Sequence, residues 1–208
     1  MKTLYLTRHG ETMFNRQHRI QGWCDSPLTE HGRDQAREMG AILRERDVNP
    51  DAAFCSTAER AGDTLELLLG ALNPAQHLSY TRLKGLREMF YGDLEAQQDF
   101  LAENDPEACR TYYLQFGGES SDAVRDRMVA TLTDIMRAPG HDCVLAVGHG
   151  GANFNFLRAV TDPMPILNAG WGNLTTCVYT FDEARADELP DGQGAGPWNL
   201  VEVIRLPK

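Results

Sequence analysis

Residues 3–12 read TLYLTRHGET. Thr3 to Thr7 form an apolar run of β-branched and aromatic residues too short for a helix, which predicts a buried strand. Arg8, His9 and Gly10 then fall at the carboxyl end of that strand. Two side chains able to carry positive charge at such a place call for an anionic partner, although the chain itself is acidic: 30 Asp and Glu against 20 Lys and Arg, a formal charge of −10.

Outward from this strand the chain alternates. From His31 to about Arg46, Ala36, Met39, Gly40 and Leu43 recur at helical spacing until Asn49-Pro50. AAFCS, residues 52–56, is a second strand, and Ser56 or Thr57 is the expected cap of a helix carrying Ala61, Leu65, Leu68 and Leu72, closed by Pro74. A third strand is expected at Leu78–Leu83. The aromatic, aperiodic segment at about 84–118 reads as an insertion of loops and short helices forming a lid. Ser120 or Ser121 caps a helix to about Arg137 with Val124, Met128, Leu132, Ile135 and Met136 inward. CVLAVGHGG, residues 143–151, is a strand entering a glycine-rich turn before a helix over Ala152 to Val160. LTTCVYTF (174–181) and NLVEVIRL (199–206) complete an antiparallel terminal pair. The order predicts an α/β fold of three layers: a mainly parallel sheet flanked by helices, with a helical and loop insertion and an antiparallel C-terminal strand pair.

With 42% hydrophobic and 24% charged residues, the 208 residues fit one folded domain. The negative field disfavours nucleic acid and anionic membranes as partners. The five cysteines lack a C-x-x-C pair and read as buried small hydrophobes rather than a disulfide framework. Met1-Lys2 leads into the strand without an apolar leader, and no run approaches the ~18 apolar residues of a membrane span, so a cytoplasmic location is expected. Pairing into a homodimer is left open.

Ligands of open α/β sheets bind beyond the carboxyl ends of the strands. His9 ends the first strand, Arg60 lies in the first turn of the helix after the second, and His149 ends CVLAVG. Singly, each has a plainer reading: a structural histidine, a solvated arginine, a tight GHGG turn. Together, Arg8, His9, Arg60 and His149 suit a tetrahedral dianion, with guanidinium forks on its oxygens. A neutral His9 could attack phosphorus, and His149 could stabilise the equatorial oxygens. Gly150, at a helix N-terminus, adds a free amide. Glu88 is the candidate general acid, set against a surface salt bridge with Arg87. GHGGANFN lacks the Lys-Ser/Thr of a P-loop, no G-x-S-x-G elbow exists, and arginines beside the histidines would repel a metal ion.

LTRHGET, STAERAGDT, LREMFYGDLE, GGES and VLAVGHGG, in that order, resemble the histidine phosphatase superfamily, the phosphoglycerate mutase-like proteins. The resemblance implies that His9 is a phosphohistidine nucleophile, that Arg8, Arg60 and His149 complete a phosphate pocket, that Glu88 donates a proton, and that Asn15 and Gln21 make further phosphate or substrate contacts. It implies no cofactor and no metal, and a small phosphorylated metabolite as partner. Glycolytic mutases of this family carry extra basic residues in a longer insertion, whereas Leu94 to Phe116 here contains Arg110 alone as a basic residue. A phosphatase is therefore expected, with a phosphoglycerate or sugar-phosphate mutase and a non-catalytic phospho-ligand-binding protein as the alternatives.

Overall fold

The computed structural model describes residues 1–208 apart from Gln76, Asn104 and Lys208, so one position of the expected insertion lies outside the described residues. The opening stretch forms β1 (Lys2–Arg8). Leu4 and Leu6 enter one apolar core while Tyr5 packs against another. β4 (Cys143–Gly148) repeats the division, with Val144 and Ala146 on one side and Leu145 and Val147 on the other. Burial on both faces marks the central strands of a parallel sheet.

With β2 (Ala52–Ser56), β3 (Tyr80–Leu83), β5 (Thr176–Phe181) and β6 (Trp198–Ile204), the sheet order is β3-β2-β4-β1-β5-β6. The first four strands are parallel, and β5 runs antiparallel to both β1 and β6. In chain order the helices are α1 (Met13–Arg16), α2 (Glu30–Glu45), α3 (Glu59–Leu72), α4 (Cys109–Tyr112), α5 (Ser121–Arg137), α6 (Gly150–Val160) and α7 (Met164–Asn168). α2 and α3 pack on each other over one face of the sheet, and α5 and α6 over the opposite face, which makes the three layers. Among the described residues no helix is long and apolar enough to cross a membrane.

Several local expectations need correction. α3 has Ala58 at its N-cap rather than Ser56 or Thr57. The carboxylate of Asp25 reaches across to accept from the Glu59 amide instead, so a distant residue satisfies the helix start. α6 begins at Gly150, with His149 as its N-cap, so the glycines belong to the first helical turn and not to a preceding loop. Its amides at Gly151 and Ala152 donate to Glu88, which stands in for a capping side chain. β3 starts at Tyr80, two residues after the expected Leu78. Cys55 and Cys177 are buried, but Cys24, Cys109 and Cys143 are half-buried; Cys109 and Cys143 open their elements, at the margin of the core.

The described residues of 84–116 include 3-10 turns and α4, joined by ring contacts of Tyr113 with Tyr91 at 4.8 Å and with Tyr112 at 5.1 Å. Gly92 takes a φ of 59° with its Cα against the Phe116 carbonyl, a place closed to other residues. The glycine at position 92 is thus accounted for by backbone geometry.

The register is what positions the site. Arg8 pairs with Gly148 across β1 and β4, and Cys55 with Val147 across β2 and β4. The His9 amide then donates to the Gly148 carbonyl at 3.1 Å, so His9 and His149 leave the sheet side by side.

Two glycines separate packing from helix propensity. A Cβ on Gly40 would collide with the Leu68 carbonyl where α2 meets α3, whereas Gly70 on α3 has nothing within 4 Å. Gly40→Ala is expected to destabilise by about 1–3 kcal/mol despite its better propensity, and Gly70→Ala to stabilise by about 0.5–1 kcal/mol. Urea denaturation of the two variants checks the opposite signs.

Candidate active site

Three strand ends deliver a cluster of cationic and imidazole side chains. Arg60 and His149 are 0% exposed and His9 is 3% exposed. The two imidazole centroids lie 5.2 Å apart with their planes at 65°. Arg60 donates through Nη2 to His149 Nδ1 at 2.9 Å. Because guanidinium nitrogens only donate, His149 Nδ1 must accept, and its proton sits on Nε2. His9 is set the opposite way: its Nδ1 faces the Gly10 carbonyl at 2.8 Å, which only accepts, so Nδ1 carries the proton and the lone pair is on Nε2. One ring therefore presents a free lone pair at Nε2 and the other an N–H donor at Nε2.

Arg60 is held on its other sides by the Gly22 carbonyl at 2.8 Å, the Cys24 carbonyl at 3.0 Å and the Asp25 carboxylate at 2.9 Å. Arg8 donates to the Trp171 carbonyl at 2.8 Å. Buried, and without a partner among the described residues, are Arg8 Nε, Arg60 Nε and His149 Nε2. Unpaired buried donors on Arg8, Arg60 and His149, in the cluster that holds the His9 lone pair, are groups that an oxyanion would satisfy. Burial, reinforced by the Arg60 and Arg8 charges, pushes His9 well below the usual histidine range. Burial and then Arg60 do the same to His149.

Glu88 is 5% exposed and does not pair with Arg87. Its carboxylate accepts from the amides of Met89 at 2.8 Å, Gly151 at 2.8 Å and Ala152 at 2.7 Å. Those bonds favour the charged form, but burial outweighs them and raises Glu88 above the usual carboxylate range. Arg87 instead donates to Thr57 Oγ1 at 2.7 Å and lies over the Trp23 ring.

A cleft of about 420 Å³ opens onto this cluster; Arg8, His9, Asn15, Gln21, Glu88 and Gly150 line it. His149 borders a separate cleft of about 250 Å³, and the fully buried Arg60 lines neither. Asn15 Oδ1 accepts from Thr12 N and from Asn173 Nδ2, each at 3.2 Å, while Gln21 accepts the Thr12 hydroxyl at 2.7 Å. A larger groove of about 880 Å³ between α5, α6 and residues 186–192 contains none of the expected site residues. Among the described residues no three His, Cys, Asp or Glu side chains converge as metal ligands.

Sequence reading missed Asp25, Trp171, Asn173 and Arg127. Asn173 donates to the His9 carbonyl at 2.9 Å. Arg127 pairs with Glu119 and donates to the carbonyls of Gly85, Arg87 and Glu88, which holds the backbone that carries Glu88. Only Asp25 carried a signal, in the DSPLTEHG segment; Arg127 looks in sequence like one more charge on an amphipathic helix.

The profile of the histidine phosphatase superfamily (branch 1) matches residues 4–188, and the chain belongs to that superfamily. The "Probable phosphoglycerate mutase GpmB" of Salmonella paratyphi A is 35% identical over 158 residues, covering 72% of this chain and 70% of the relative. A 2,3-bisphosphoglycerate-dependent phosphoglycerate mutase of Hamiltonella defensa is 38% identical over 95 residues, which cover 46% of this chain and only 38% of that relative. A solved mycobacterial glucosyl-3-phosphoglycerate phosphatase aligns with a TM-score of 0.71 at 25% identity, over 96% of this chain and 97% of that one.

The hydrogen bonds demand opposite neutral tautomers, which side-chain ¹⁵N–¹H spectra resolve. At pH 6.5 His9 is expected as the Nδ1-protonated form and His149 as the Nε2-protonated form, neither being imidazolium. Mixed tautomers, or a charged ring at that pH, would contradict the geometry.

Proposed function

We propose that the protein is a phosphatase that hydrolyses a small phosphomonoester through a phosphohistidine on His9, without a metal. The observation that carries the reading is the pair of opposed tautomers: a lone pair on His9 Nε2 among donors from Arg8, Arg60 and His149. In the first step His9 Nε2 forms the bond to phosphorus as the ester P–O bond breaks, and Glu88 gives its proton to the departing alkoxide. In the second, water loses a proton to the Glu88 carboxylate, its oxygen bonds to phosphorus, and the N–P bond breaks to release inorganic phosphate. Arg8, Arg60 and His149 stabilise the equatorial oxygens in both steps. Asn15, Gln21 and the start of α6 at Gly150 face the substrate, and residues 84–118 serve as the lid. Guanidinium groups supply the positive charge that a metal ion would otherwise bring to phosphoryl transfer.

Relatives named as mutases favour a second reading, the transfer of phosphate within a phosphoglycerate or sugar phosphate. Hydrolysis is preferred because Arg110, the basic residue of Leu94 to Phe116, pairs with Glu107 and Asp122 and does not line the cleft. The outer wall of the cleft carries the carboxylates of Asp99 and Glu103 against the single guanidinium of Arg19. That balance favours a leaving group without a second anion.

Turnover of p-nitrophenyl phosphate in excess chelator, with an acid-labile, base-stable phosphoenzyme, is expected, and both should vanish in His9→Ala. Full activity in that variant would reject the mechanism. Glu88→Ala is expected to slow an alkyl phosphate by about 10²–10⁴-fold. It should slow p-nitrophenyl phosphate far less, because nitrophenolate leaves without a proton. Isomerised product outrunning free phosphate would favour the mutase.

A further inference from the structure

Glu95 follows the 3-10 turn Gly92–Leu94 and does not line the cleft. Its carboxylate nevertheless accepts from four backbone amides. Oε1 takes Trp23 at 2.9 Å and Tyr91 at 3.1 Å, and Oε2 takes Gly22 at 3.2 Å and Cys24 at 3.0 Å. Successive amides wrapped round one point form a concave anion-binding nest, here filled by a side chain of the same protein. Such charge-assisted bonds are roughly twice as strong as neutral ones. The loop comes this near because residue 22 is glycine: a Cβ there would collide with Glu95 Oε1 and with the Met89 carbonyl.

The opposite edge of the same loop holds Arg60, through the carbonyls of Gly22 and Cys24. The peptide group between Gly22 and Trp23 donates its N–H to Glu95 and accepts with its C=O from Arg60. In a trans peptide these two point in opposite directions, so a single planar unit ties the carboxylate to the guanidinium. Arg60 Nη2 then donates to His149 Nδ1.

We infer that Glu95 is a positioning residue for phosphoryl binding: it holds the 22–24 loop, whose carbonyls hold Arg60, which in turn fixes the ring and tautomer of His149. The inference rests on the reading of Arg60 and His149 as phosphoryl-binding groups. A clamp with a merely structural role would change thermal stability and leave kinetics alone, whereas a positioning role couples Glu95 to Arg60.

The test is a double-mutant cycle. Glu95→Ala and Glu95→Gln are placed in the wild-type and Arg60→Ala backgrounds, with kcat/KM for p-nitrophenyl phosphate and the Kd for orthovanadate measured on chains shown to be folded at the assay temperature. Glu95→Gln keeps an acceptor oxygen and carries the cycle if Glu95→Ala does not fold. In the wild-type background a loss of about tenfold in kcat/KM and vanadate affinity is expected, shrinking to less than about twofold when Arg60 is already absent. Equal losses in both backgrounds, or a lower Tm with unchanged kinetics and affinity, would overturn the role of Glu95 while leaving the phosphatase reading intact. A wild-type protein that neither turns over the ester nor binds vanadate would overturn both.

Discussion

A guanidinium buried to 0% exposure cannot relieve its cost by giving up a proton, so the protein must surround it with acceptors. Arg60 has one carboxylate partner, Asp25, which is itself 30% exposed in its side chain. The remaining acceptors are two loop carbonyls and a ring nitrogen of His149. That last bond settles which nitrogen of His149 carries hydrogen, and so links an electrostatic requirement to the role proposed for His149. His9 acquires the complementary tautomer from a single backbone carbonyl. The parallel register of β1 and β4 makes the pairing possible, because it brings both histidines out of the sheet at one level.

The charges around this pair are uneven in a useful way. The chain has a formal charge of −10, yet burial, reinforced by the charges of Arg60 and Arg8, depresses both imidazoles. A cluster of this kind is repulsive within itself and becomes favourable when a dianion joins it, which in the proposed reaction concentrates binding energy on the phosphoryl group. Glu88 lies at the N-terminal turn of α6, where helix amides stabilise its charge while burial opposes it. The balance leaves its proton affinity above that of an ordinary carboxylate, as the acid and base role proposed for it requires.

Much of this was legible before any coordinates. The short apolar runs of β1, β2 and β4 and the helical spacing of Ala36, Met39 and Leu43 follow from burial on two faces and on one, and local sequence reports burial well. His9, Arg60 and His149 could be brought together because parallel crossovers send strand ends to one edge. What stayed hidden depends on contacts between distant, aperiodic segments. Asp25 caps α3 from 34 residues away, Arg127 reaches back about 40 residues to the backbone of 85–88, and Glu95 grips a loop 71 to 73 residues earlier. None of these leaves a periodic trace, and Arg127 and Glu95 look like ordinary surface charges. The fold of residues 84–116 was hidden for the same reason, since aromatic contacts rather than amphipathic spacing hold it together.

The central claim is that His9 Nε2, His149 Nε2 and the Nε atoms of Arg8 and Arg60 converge on one tetrahedral or trigonal-bipyramidal oxyanion. A crystal structure of the protein with orthovanadate tests it directly. The predicted result is vanadium bonded to His9 Nε2, with its equatorial oxygens within hydrogen-bond distance of the other three nitrogens. Vanadate bound away from His9, or bound there with His149 turned from the oxygens, would contradict it.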